Sequence, residues 1–78
     1  MKVQFYSMEN ARDFVNDVSK LDCDVNLADG RIIVDAKSMM GVLQLDLKKS
    51  FDVYAVSNFV SDHDKLKEIA AKYEVSSI

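Results

Sequence analysis

Hydrophobic and polar positions change period several times along this chain, and each change marks an element. Residues 2–6, KVQFY, alternate with Val3 and Phe5 on one side, the mark of a half-buried strand. From Met8 the apolar positions recur at three- and four-residue steps (Met8, Ala11, Phe14, Val15, Val18, Leu21), which predicts an amphipathic helix over 8–21. Ser7 or Asn10 can cap it. In DVNLADGRIIVDA, Asp29-Gly30 stands between two alternating runs and supplies the positive φ of a tight hairpin turn. Val25 and Leu27 then share a face with Ile32, Val34 and Ala36, while Ile33 points to the other face.

The second half repeats the alternation of periods. Ser38 can cap a short helix running to about Leu45, and Lys48-Lys49-Ser50 makes a polar connection. FDVYAVS, 51–57, reads as a strand with Phe51, Val53 and Ala55 on one side. Ser61 and Asp64 form a variant of the capping box ahead of a helix with Leu66, Ile69, Ala70 and Tyr73 on one stripe. The order β-α-β-β-α-β-α predicts an α+β fold, a two-layer open-faced sandwich. Four antiparallel strands carry three helices on one face and leave the other face wet.

Composition narrows the class. The chain has 78 residues, of which 49% are hydrophobic and 29% charged, with two glycines and no proline, so 1–78 reads as a single globular domain. A net charge of −3 argues against direct nucleic-acid binding. No apolar run approaches the ~20 residues of a membrane span, and no signal-peptide core is present. A single cysteine, Cys23, has no disulfide partner within the chain, which fits a reducing, cytoplasmic setting.

Candidate chemistry is sparse. Cys23 and His63 lie about forty positions apart and form no metal-ligand set, and the isolated Gly30 and Gly41 make no phosphate-cradling loop. Asp22 and Asp24 flank Cys23 and disfavour its thiolate. His63, between two aspartates, reads as a solvated side chain rather than a general base. Ser7 and Ser38 have no histidine base in the pattern. These residues predict no enzyme, no metal and no cofactor. The lysines at 48, 49, 65, 67 and 72 read as a solvated surface.

One stretch asks for more. KSMMGVLQLD, Lys37 to Asp46, places a serine, two methionines and a glycine before leucines at helical spacing. It resembles the segment around the regulatory serine of the HPr family, the small phosphocarriers of the bacterial sugar phosphotransferase system. That family carries a Lys-Ser-(Ile/Leu/Met)-Met-Gly-(Val/Leu)-(Leu/Met) run, here Lys37 to Leu43. The order of elements, the glycine hairpin and FDVYAVS also fall where the HPr-like fold has them.

The likeness breaks where an HPr phosphocarrier takes phosphate on a histidine, in a His-Ala-Arg-Pro-like run opening the first helix. The family's spacing back from Ser38 lands on Ser7, and the arginine position holds Glu9. No imidazole is present, and Glu9 puts negative charge where a phosphoryl group needs positive charge. A phosphoserine ester also transfers its phosphate far less readily than a phosphohistidine. Loss of the histidine with the serine run kept is similar to Crh-like relatives. The resemblance then implies a regulatory protein modified on serine by HPr kinase and docked onto a transcriptional regulator. Asp46, where glycine is common, and Asn58-Phe59, in place of a glycine-containing turn, depart from the pattern.

Two roles stay open for Ser38, a helix cap accepting from the Met40 or Gly41 amide and a phosphorylation site. Met39 and Met40 point about 100° apart on a helix. Met40 is expected to lean toward the core and Met39 to be the more exposed, and Met8, Met39, Met40 and Leu43 are the partner-binding candidates. An unphosphorylated scaffold, and a carrier using some other residue, are the alternative readings. Edge strands in so small a sheet also permit a homodimer, though nothing in the residues demands one.

Overall fold

The computed structural model describes residues 1–75. Its elements are β1 (Lys2–Val3), α1 (Met8–Val18), β2 (Asp24–Asp29), β3 (Ile32–Asp35), α2 (Met39–Val42), β4 (Phe51–Val56) and α3 (Val60–Ala70). A 3-10 turn, Ala71–Tyr73, follows α3. The four strands form one antiparallel sheet in the order β1-β4-β2-β3, and the predicted α+β architecture is the one observed.

The periodicities sort the side chains as read. On β4, Phe51, Val53 and Ala55 are buried and the residues between them exposed. On α1, Ala11, Phe14, Val15 and Val18 form the buried stripe. Leu66 and Ala70 of α3 complete the helix layer, with Ile69 and Tyr73 packed against the core.

Several boundaries move, each for a local reason. The first strand ends at Val3 rather than residue 6, because Tyr6 takes a φ of 66° and turns the chain into α1. That left-handed region is costly for a residue with a Cβ. Phe5 nevertheless stays fully buried. The first helix stops at Val18, where the Ser19 hydroxyl donates to the Val15 carbonyl at 2.6 Å, and Leu21 reaches the core from the turn beyond.

The hairpin pairs Asp29 with Ile32, so Gly30 and Arg31 are its loop and Asp29 closes the strand. Gly30 has a φ of +59°. Tyr6 is the one non-glycine with positive φ among the described residues, so Arg31 has a negative φ, and positive φ at the first loop residue alone fits a II′ turn rather than a I′ turn. Ile32 is on the predicted face but, next to the hairpin loop, remains 56% exposed. The short second helix ends at Val42, earlier than Leu45.

The capping box at Ser61 does not form. Helix α3 starts at Val60 with Phe59 in the cap position and no side-chain cap, so Ser61 lies inside the helix. Ser57 organises this start instead. Its hydroxyl donates to Asp62 Oδ2 and accepts from the Phe59 amide at 3.0 Å.

Aromatic rings fasten the two layers. The Phe5 centroid lies 5.0 Å from Phe14, 5.7 Å from Tyr73 and 6.0 Å from Phe51. Tyr73 also meets Phe14 edge-on, at 5.5 Å and 88°. Burial, with the carboxylates of Asp17 and Asp13 nearby, pushes the Tyr73 phenol above its usual range, so it stays neutral at physiological pH. Replacing Phe5 with alanine should therefore cost about 3–5 kcal/mol in urea unfolding. Met40→Ala, at a side chain 80% exposed, should stay within about 0.5 kcal/mol of the parent.

Candidate functional site

Two serine hydroxyls stand at the starts of α1 and α2, and both are helix caps. Ser7 has extended backbone (φ −141°, ψ 160°), and its Oγ accepts from the Asn10 amide at 3.1 Å. Ser7, not Asn10, is thus the cap. The Asn10 side chain instead donates to the Phe5 carbonyl at 2.8 Å and ties the helix start to the end of the first strand. Glu9 lies in the first turn, where its charge suits the helix but would repel a phosphoryl group on Ser7.

Ser38 repeats the arrangement with φ −105° and ψ 111°, and its Oγ accepts from the Gly41 amide at 3.2 Å. Its own N–H donates to the Asp35 carbonyl at 3.0 Å. Lys37 is turned away, its ammonium donating to the Leu21 carbonyl at 2.6 Å. A Cβ on Gly41 would sit 3.5 Å from Val34 Cβ, an ordinary contact, so packing does not require glycine at this position.

The methionines exchange their expected places. Met39 packs against the core, whereas Met40 is 80% exposed. The reason is helical spacing. Val42 is fully buried, so Met39, three residues earlier, shares its inward face, and Met40 shares the outward face with the half-exposed Leu43.

Helices α1 and α2 are in contact. Between them Met8, Glu9, Arg12, Met39 and Leu43 line a mostly apolar groove of about 250 Å³. Three of the four partner-binding candidates, Met8, Met39 and Leu43, meet there, and Met40 lies outside it. Arg12 was not singled out by the sequence reading. Its signal is its position four residues after Met8, on the same helix face. Among the described residues Arg12 makes no ion pair, so its guanidinium is available at the groove.

The other chemistry-bearing groups lie elsewhere. His63 is half-buried rather than solvated, and its Nε2 lies 2.9 Å from the Ser57 carbonyl, an acceptor that requires this nitrogen to carry the proton. Cys23 is half-buried and lines a cleft with Asp22, Ser57, Phe59 and Asp62. Among the described residues no group of three His, Cys, Asp or Glu could hold a metal ion. Lys49 pairs with Asp29 at 3.9 Å and Lys72 with Asp17 at 3.5 Å, surface contacts worth little to stability. No described helix is long and apolar enough to cross a membrane.

Comparison with known proteins adds one finding. A family model described as "PTS HPr component phosphorylation site" matches residues 7–71, a span that opens on Ser7 and includes both serine caps and the groove. No curated protein and no solved structure matches. With that match over most of its length, and with the open-faced antiparallel sheet and its helices as the fold, this chain belongs to the HPr family of the phosphotransferase system.

Proposed function

We propose that this chain is a regulatory binding module, an HPr-family protein that has lost phosphocarrier chemistry and is controlled through Ser38. The contrast between its two serine caps carries this reading. Position 7 offers no imidazole, and its hydroxyl stands near the start of a helix whose first turn carries the carboxylate of Glu9. Position 38 offers a hydroxyl directly before Met39, which lines an apolar groove with Met8 and Leu43 and with Arg12 at hand.

A phosphate on Ser38, next in sequence to the groove residue Met39, would bring about −1.5 to −2 charges to the groove's border. Helix α2 is a single turn, so its macrodipole is small. The local amides, led by that of Gly41, are what would receive the phosphate oxygens. Addition of charge would then alter the recognition surface and leave the fold in place. The partners that fit are an HPr kinase, which supplies phosphate from ATP, and a transcriptional regulator of carbon-catabolite control, as in Crh-like relatives. In this role the protein acts in the cytoplasm, needs no cofactor, performs no catalysis and does not contact nucleic acid or membrane itself. A second reading, a scaffold in which Ser38 only caps, draws its support from the Gly41 amide already holding Oγ.

Intact mass after incubation with HPr kinase and ATP separates these readings. The expected result is one acid-stable phosphate on the parent and none on Ser38→Ala. No gain on the parent overturns the regulatory reading and leaves the cap. Ser38→Ala should also lower unfolding stability by about 1 kcal/mol, whereas Ser38→Asp, an equally good cap, should retain it in the same urea titration.

A further inference from the structure

The two edges of the sheet end differently. Along β1 the C-terminal segment supplies a further row of bonds. Gln4 N–H donates to the Tyr73 carbonyl and Val75 N–H to the Lys2 carbonyl, each at 2.9 Å, and Val3 bridges to Glu74. Along β3, no described residue continues the sheet.

The register tells which groups of β3 are free. Ala36 N–H donates to the Val25 carbonyl at 2.8 Å, which makes 25/36 a hydrogen-bonded pair. Such pairs alternate in an antiparallel ladder, so Leu27/Val34 and Asp29/Ile32 are the next two. The backbone groups of Arg31, Ile33 and Asp35 consequently face outward. The Asp35 carbonyl is held by Ser38 N–H. Asp35 N–H, both groups of Ile33 and the Arg31 carbonyl stay open.

We infer that this edge pairs with the same edge of a second copy of the chain, antiparallel about a two-fold axis at Ile33. The order of side chains on the outer face, cation, isoleucine, anion, is its own complement under that axis. Ile33 meets Ile33, and Arg31 of each copy meets Asp35 of the other, so the opposite charges pair twice. Asp35 Oδ1 takes the Lys37 amide at 2.9 Å, which leaves Oδ2 for the guanidinium. On the helix-bearing face Ile32 meets Val34. Sliding the register by two residues one way sets Arg31 against Lys37 and Ile33 against Asp35, and the other way sets Arg31 against Ile33. Only the centred register satisfies both charge and apolar matching.

Four backbone bonds close the interface, two between the Ile33 residues and two from Asp35 N–H to the Arg31 carbonyl. The strand carries neither the lysine nor the proline that commonly blocks an edge, and Ile33 is 59% exposed. The product is one eight-stranded sheet with both helix layers on the same side. Its helix grooves are not part of the contact, and this pairing does not rest on the reading of Ser38.

Sedimentation equilibrium on the full chain tests it. So short an edge buries well below the ~1,200 Å² of a standard interface, so association is expected to develop between about 10 μM and 1 mM. The mass should rise from 8.8 kDa toward twice that value. Ile33→Pro removes the two central bonds while its nitrogen faces away from β2, and should weaken association ~10-fold or more with an unchanged circular dichroism spectrum. Arg31→Glu and Asp35→Lys should each weaken it, and the double variant should restore it. A mass of one copy throughout, or a dimer indifferent to Ile33→Pro and to the charge exchange, overturns the proposal.

Discussion

The ring of Phe5 touches Phe14, Phe51 and Tyr73, and through them it joins α1, β4 and the turn after α3 at one buried point. Everything about the start of α1 follows from holding that ring inside. With Phe5 fixed, the chain has only Tyr6 and the cap Ser7 in which to reverse before the helix begins, and Tyr6 takes a left-handed φ to do it. Asn10 closes the arrangement by bonding the Phe5 carbonyl. Ser7, the residue that the resemblance sets against the carriers' histidine, follows at once as the helix cap.

Ser38 sits where a short helix meets the hairpin, and the same packing that buries Val42 presents Leu43 outward and draws Met39 against the core. The groove lies where α1 and α2 meet. Its lining mixes flexible apolar side chains with one carboxylate and one guanidinium, from Glu9 and Arg12. A new charge at its border would change what can dock there more than it would change the core.

Most of the fold was legible because one face of each element is buried. Period two in FDVYAVS and the three-four steps of α1 report a single buried face, and the structure buries those residues. What escaped depends on contacts distant in sequence or on conformations without a compositional mark. The end of β1 follows from the φ of Tyr6, which no residue type signals. The start of α3 is organised by Ser57 and Asp62, whereas the spacing of Ser61 and Asp64 suggested a cap that the chain does not use. The reversal of Met39 and Met40 was readable in principle, because Val42 is the more β-branched and compact candidate for burial and fixes the phase of so short a helix. Of the site, the serine run and four of the five groove residues, Met8, Glu9, Met39 and Leu43, were visible in the sequence. Arg12 was not, because its role depends on α1 and α2 meeting.

The central claim is that the fold of a phosphocarrier is kept while the acceptor at position 7 is lost. The most direct measurement is the mass gained on incubation with phosphoenolpyruvate and the first enzyme of the phosphotransferase system, for the parent and for the Ser7→His, Glu9→Arg double variant. The account predicts no phosphate on the parent and an acid-labile phosphate on the variant, whose imidazole and guanidinium restore the missing groups on an intact backbone. A phosphoenolpyruvate-dependent phosphate on the parent would contradict it and identify this chain as a carrier with a different acceptor.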